Sequence, residues 1–338
     1  MTETTILRIR KPDDMHCHLR EDSVLQSVIG FTTRCFQRAV IMPNLTPPIL
    51  TAEDMTRYEK KIKQYSGASF KPLMTIQLTE DTTPVMIAEA KEAGAVAAKL
   101  YPRGVTTNSE SGVADFKKIY PALTEMQKLK ILLLAHGESP DPEIFCLDRE
   151  IAFLHTLRGV VNDFPNLKIV LEHITTEDAF VEMLSMPRNV AATITVHHLL
   201  LTLDDVIGGL ISPHNFCKPI AKRASDKRAL LEAVTSGGRK FFYGGDSAPH
   251  LKEKKECSHG CAGVFNAPVA LALLAQIFEE QGALNRLENF VAKFGADFYG
   301  LPYNTKTIEL RKEKWVIPDD YNGIVPFMAG QTLNWQVV

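Results

Sequence analysis

Eight short apolar or β-branched runs, each separated from the next by a longer stretch of helical periodicity, leave this chain few folds to adopt. The first is Asp13-Asp14-Met15-His16-Cys17-His18; the others lie at residues 38–44, 71–78, 95–100, 131–136, 168–173, 189–195 and 240–246. Runs that are nearly continuously apolar suit strands covered on both faces, the environment of a parallel sheet flanked by helices. The segments between them carry helix punctuation. Thr83 followed by Pro84 is placed to start a helix and Gly94 to end it, and Ser225 precedes residues 226–234, closed by Gly237-Gly238. Eight strand–helix units predict an α/β fold of the (β/α)8, or TIM-barrel, kind rather than an open doubly wound sheet. No Gly-x-Gly-x-x-Gly follows the first strand, so a dinucleotide-binding fold gains no support.

The chain has 338 residues, enough for one such barrel with additions. No Gly-, Ser- or Pro-rich linker, low-complexity tract or internal repeat divides it, which predicts a single domain over residues 1–338. Residues 305–338 hold both tryptophans, Trp315 and Trp335, fit no further strand–helix unit, and are read as a C-terminal segment packed outside the barrel. The 38 basic and 40 acidic residues leave a net charge of −2, which recruits neither nucleic acid nor an anionic membrane. Six cysteines are too sparse for a disulfide framework and read as reduced thiols. The first ten residues alternate polar and apolar and lack the apolar core of roughly 7–15 residues that a signal peptide needs. The most apolar later run, residues 267–278, falls well short of the ~20 residues that span a bilayer. A soluble, cytoplasmic protein is expected.

In barrels of this kind side chains from different strands converge at the C-terminal strand ends. Here the polar residues terminating the apolar runs are His16, His18, Asn44, Lys99, His136, His173 and Asp246. If the first strand is extended, His16 and His18 project together and Met15 and Cys17 point the other way. Desolvating four histidines, a lysine and an aspartate at one rim is costly unless something compensates them. Metal supplies that compensation, and imidazole with carboxylate suits Zn²⁺. Lys99 is a poor neighbour for a dication while it is an ammonium; carboxylation to a carbamate would reverse its charge and offer two oxygens to bridge two metals. The alternative for Lys99 is a salt bridge to Asp246.

The motifs around these residues resemble one family closely. Residues 12–20, Met42-Pro43-Asn44-Leu45, Lys99-Leu100-Tyr101-Pro102, Leu134-Ala135-His136-Gly137-Glu138, Glu172-His173-Ile174-Thr175-Thr176 and Gly245-Asp246-Ser247-Ala248-Pro249-His250 are similar to those of the stand-alone dihydroorotases, within the binuclear amidohydrolases. The resemblance runs from about Pro12 to about Gly300. It implies two zinc ions per subunit: one on His16, His18, Lys99 and Asp246, the other on His136 and His173, bridged by Lys99 as N6-carboxylysine. It implies reversible cyclisation of N-carbamoyl-L-aspartate to dihydroorotate with loss of water, the third step of de novo pyrimidine synthesis, with Asp246 moving the proton. Arg20, Asn44 and His250 would take the substrate carboxylate, and Ala262 would meet substrate through its backbone. Thr106 and Thr107 would reach it from a lid loop. Lys218 is a departure, because the family often has an apolar residue before the proline corresponding to Pro219; its main-chain contact would survive the change. A homodimer is also implied.

Other signals carry less. Cys257-Ser258-His259-Gly260-Cys261 lacks the second ligand pair that structural zinc usually wants. His155, His197, His198, His214 and His259 read as structural or surface residues, and the charged run 252–256 as a solvated face. The competing readings are a hydantoinase-like cyclic amide hydrolase, against which Arg20, Asn44 and His250 speak, and a catalytically dead assembly subunit, against which the retained Lys99 and Asp246 speak.

Overall fold

The computed structural model describes residues 5–338; residues 1–4, the start of the expected domain, lie outside the described residues. After strand β1 (Ile6–Arg10) the chain lays down eight parallel strands. These are β2 (Asp13–Cys17), β3 (Arg38–Ile41), β4 (Lys71–Leu78), β5 (Ala97–Leu100), β6 (Leu132–His136), β7 (Ile169–Glu172), β8 (Val190–Ile194) and β9 (Phe241–Tyr243). They are hydrogen-bonded in sequence order, the outcome when each crossover returns beside the strand it left. Each apolar run contains one strand, but most strands stop short of the run's end, so Asn44, His173 and Asp246 lie just beyond them. The barrel closes by backbone bonds between its first and last segments: Asp246 N–H donates to His16 O at 2.8 Å and His18 N–H to Ser247 O at 3.1 Å. Closure and the polar rim therefore involve the same residues.

Two buried layers hold the barrel. Met15, Val40, Leu73, Leu134, Val170 and Phe242 fill the interior. A larger layer, including Ile41, Leu100, Leu133, Leu171 and Ile194, lies between the strands and the surrounding helices. The first strand breaks the simple alternation expected of it. Its pairing with β3 shifts register between Asp14 and Cys17, so Met15 packs inside the barrel while Cys17 packs in the outer layer. Met15 and Cys17 thus do not share a face, because such an irregularity interrupts the two-residue period. His16 and His18 meet all the same.

Thr83 caps its helix, accepting from Met86 N–H at 3.3 Å, and Gly94 takes a φ of +97° just past the helix end. The helix expected after Ser225 starts earlier, at Ala224, with Ser225 inside it. Its start is fixed by the Asp226 carboxylate, which accepts from Arg223 N–H at 2.9 Å. Residues 305–338 lie outside the barrel, as β10 (Thr307–Arg311), β11 (Trp315–Val316), β12 (Thr332–Leu333) and β13 (Gln336–Val337). β10 pairs antiparallel with β1, from Ile6 opposite Arg311 to Arg10 opposite Thr307. Trp335 is fully buried, and its Nε1–H donates to Glu279 Oε2 at 3.0 Å on the helix Ala270–Glu280. All six cysteines are free thiols, and among the described residues no helix is long and apolar enough to cross a membrane.

Candidate active site

β2, β5, β6, β7 and β9 deliver the polar cluster to one end of the barrel. His16 and His18 Nε2 are 3.2 Å apart, and Asp246 Oδ1 lies 3.3 Å from the first and 3.0 Å from the second. On its other side His16 Nδ1 lies 3.0 Å from Glu172 Oε1. The His173 ring centroid sits 5.0 Å from that of His16 and 4.8 Å from that of His136, which chains the imidazoles across the rim. His136 Nε2 is paired with Glu138 Oε2 at 2.8 Å, leaving Nδ1 to serve as a ligand. Lys99 is fully buried and its ammonium pairs with Glu172, not with Asp246.

The electrostatics follow from burial. Burial pushes Lys99 down against the upward pull of Glu172, and a neutral amine is the form that reacts with CO2. Burial, with His136 and Lys99 nearby, holds His173 well below its ordinary value, and burial takes His18 down to about 4, so both imidazoles are neutral, as metal ligands must be. Burial would lower His16 too, but Glu172 and Asp246 overcome it and raise it to about 9. Burial alone would raise Asp246; His16 and His18 outweigh it and hold the carboxylate well below the usual range. His16 is thus a cation among carboxylates when no other cation is there.

This donor set fits a metal centre. Donor atoms of His16, His173 and Asp246 lie within 4.8 Å of one another, and His173 Nδ1 is buried without a hydrogen-bond partner. The carboxylates of Glu172 and Glu138 stand behind His16 and His136 as carboxylates commonly stand behind metal-bound imidazoles. Three left-handed non-glycine residues lie here as well: Arg20, His173 and Asp246 take φ values of 59°, 44° and 43°. Left-handed conformations of non-glycine residues cost about 1–3 kcal/mol each and persist where the surroundings over-determine them. His173 N–H is held by Thr193 Oγ1 at 2.7 Å and Asp246 N–H by His16 O, so both turns are pinned to the barrel wall.

On the open side, Arg20 Nη2 meets His250 Nε2 at 2.9 Å while its Nε donates to Pro249 O at 3.1 Å. His250 Nε2 is also 3.1 Å from Ala262 O. The loop after β5 is folded over the rim: Asn44 Nδ2 donates to Thr107 O at 3.1 Å, and Thr107 Oγ1 reaches Ala262 O at 3.4 Å. Thr106, Thr107, Asn44, Arg20, Lys218 and Ala262 all line the same cleft as the histidines and Asp246. In this closed arrangement the free space left in the cleft is only about 20 Å³. The structure thus brings all thirteen candidate site residues into one neighbourhood. Lys218 has its place in the cleft wall, and burial with Arg20 alongside drives His250 down to about 2, a neutral acceptor or donor.

Sequence reasoning passed over Glu172 and Glu138, although both stand beside a chosen histidine in the quoted motifs. It also passed over Glu150, whose buried carboxylate binds the residues after His173, and a buried Tyr101 hydroxyl in the cleft. A carboxylate inside an otherwise apolar strand or helix face was the signal available. His197 and His198 form the other candidate cluster, with Cys217. His198 is tied on both nitrogens, to Thr195 Oγ1 and Pro219 O at 2.9 Å each, which marks it as a structural residue. His214 pairs with Glu256, and among the described residues no three-ligand group includes Cys257 or Cys261.

Parallel barrels that gather imidazoles, a buried lysine and an aspartate at the C-terminal rim are those of the amidohydrolases, and this chain is built as one. No family model matches it. It is 51% identical over 341 residues to a dihydroorotase of Teredinibacter turnerae, covering 99% of each chain, and 49% identical over 345 residues to one of Shewanella pealeana, covering 100% of this chain and 99% of that one. The crystal structure of Saccharomyces cerevisiae dihydroorotase in complex with 5-fluoroorotic acid superposes with a TM-score of 0.92 at 40% identity, over 98% of both chains. An L-hydantoinase from Arthrobacter aurescens shares the fold, with a TM-score of 0.84, at only 14% identity over 98% of this chain and 83% of that one. The chain belongs to the dihydroorotase family.

Proposed function

We propose that this chain interconverts N-carbamoyl-L-aspartate and dihydroorotate with two zinc ions, of which His16, His18, Lys99 and Asp246 would hold one and His136 and His173 the other, with Lys99, as its carbamate, a ligand that both could share. The dihydroorotase activity, a cyclic amide hydrolysis in pyrimidine synthesis, comes with the family. The observation that carries the ligand assignment is the convergence of His16, His173 and Asp246 donors within 4.8 Å beside a buried lysine. Zinc at such a site polarises a carbonyl and lowers the pKa of water to about 7.

The protein's own groups do the rest. Asp246, ionised because His16 and His18 face it, takes the proton of the attacking water and delivers it to the ring nitrogen as the C–N bond opens. In ring closure it removes the proton from the carbamoyl nitrogen. Arg20 spends its Nε on Pro249 O and keeps guanidinium N–H groups for the carboxylate that dihydroorotate carries on its ring, with Asn44 and His250 beside it. Lys218 and the main chain at Ala262 complete the wall. Thr106 and Thr107, on the loop that rests on Asn44 and Ala262, close over the ligand and exclude bulk water. The loop must open to admit substrate, since about 20 Å³ cannot hold it. The same reading makes the enzyme a cytoplasmic homodimer with residues 1–338 as one domain.

The test is turnover by the purified zinc-loaded chain of dihydroorotate against an unsubstituted hydantoin. Preference for dihydroorotate by about 10³ or more in kcat/KM is expected, because removing the carboxylate leaves the half-buried Arg20 guanidinium without its ionic partner. Equal rates on the two would refute the assignment of Arg20, Asn44 and His250.

A further inference from the structure

Lys255 stands behind the cleft wall, bonded to the segment that carries Ala262 and Gly263, and belongs to neither the metal cluster nor the cleft lining. Its side chain is buried, yet no carboxylate lies within ion-pair distance among the described residues. Instead its ammonium donates to three main-chain carbonyls: Phe216 O and Cys261 O at 3.1 Å each, and Gly263 O. An ammonium has three hydrogens, so all are used and the three carbonyls are fixed relative to one another. Those carbonyls belong to two separate segments. One, residues 216–218, brings Lys218 into the cleft wall; the other, residues 261–263, presents Ala262 O to His250 and to Thr107 of the closing loop. The second segment is built tightly around the lysine. A Cβ at Gly260 would stand 2.4 Å from Lys255 O, one at Gly263 would stand 2.5 Å from Ala248 O, and Gly263 N–H donates to Phe216 O at 2.9 Å.

We propose that Lys255 is a positioning residue that locks the Phe216–Lys218 and Cys261–Gly263 segments together as the platform on which substrate and the closing loop are seated. A cation that contributed only to stability would serve as well paired to a carboxylate at the surface; here its bonds all end on the backbone of the cleft wall. The ammonium touches no reacting group, so its removal acts on seating rather than on proton transfer. The inference rests on the functional reading above for the identity of the ligand, but not for the platform itself.

The experiment compares full-length, zinc-loaded wild type with Lys255→Met, which keeps length and burial without donors, and Lys255→Arg, which keeps charge but offers a planar fork to carbonyls arranged around an ammonium. Steady-state hydrolysis of dihydroorotate is measured together with amide hydrogen exchange over residues 104–112 and 260–264. The Met variant is expected to raise KM about ten-fold or more with kcat within about three-fold, and to speed exchange in both segments; the Arg variant should recover part of each effect. KM within about two-fold of wild type with unchanged exchange would overturn the proposal, as would an equal fall in kcat at constant KM. If Lys255→Met does not fold, Lys255→Gln, which is neutral, shorter and unable to reach three carbonyls at once, decides: KM and exchange like wild type would reject the platform, and raised KM with faster exchange would support it. Failure of the wild type to turn over dihydroorotate would remove the functional reading, while exchange would still test the platform.

Discussion

Glu150 offers the sharpest test of how the barrel holds His173. It sits on the helix Arg149–Asp163, fully buried, and its carboxylate accepts from the backbone N–H of Thr175 at 2.9 Å and of Thr176 at 2.9 Å, and from the Thr175 hydroxyl at 2.6 Å. The Thr176 hydroxyl donates to it as well. Glu150→Ala leaves two buried amides without partners. An orphaned buried donor costs about 1–3 kcal/mol, and the two hydroxyls can turn elsewhere, so the amides alone predict a loss of roughly 2–6 kcal/mol. Cavity formation adds to that figure. Glu150→Gln keeps one acceptor oxygen and turns an amide toward the remaining donors, so it should lose nearly as much. Because His173 precedes these threonines in a left-handed turn, the same variants should weaken metal retention at the half of the site holding His136 and His173. The assay is urea unfolding of metal-free protein with zinc content after dialysis. A loss below about 1 kcal/mol in Glu150→Ala, with full zinc retention, would refute the reasoning.

Two further outcomes follow from the same geometry. Arg20→Lys removes the fork that meets His250 at 2.9 Å and, in the proposed function, addresses the substrate carboxylate, so KM for dihydroorotate should rise about ten- to hundred-fold with a smaller change in kcat, checked by steady-state kinetics. His197 is fully buried, and burial takes it down to about 4, against an ordinary value near 6.5. The unfolded chain therefore binds the proton first as pH falls from about 6.5 to 4, and stability is lost across that window. His197→Gln should flatten this limb by up to about 3 kcal/mol in denaturation measured between pH 7 and 4; an unchanged slope would contradict it.

Much of this was legible in the sequence for a physical reason: a strand buried on both faces must be apolar along its length, so a polar residue at its end stands out. His136 ends β6, and His173 and Asp246 follow β7 and β9, where the surrounding run made them conspicuous. What was not legible depends on the third dimension. The register shift in β2 separates Met15 from Cys17 and leaves no mark in composition. The pairing of β1 with β10 joins segments about 300 residues apart through edge bonds that no local pattern encodes. Lys99 pairing with Glu172 rather than Asp246 depends on where the folded barrel places the two carboxylates, and the roles of Glu150 and Lys255 arise because their partners are backbone atoms, which sequence does not distinguish.

Whether a modified Lys99 joins two zinc ions into one catalytic site is decided by zinc content from elemental analysis together with dihydroorotate hydrolysis, on wild type and on Lys99→Ala. The expected result is close to two zinc ions per wild-type chain with turnover, and loss of both zinc and activity in the variant. A Lys99→Ala protein that keeps full activity would contradict the mechanism, and a wild type carrying the zinc pair without acting on dihydroorotate would contradict the substrate.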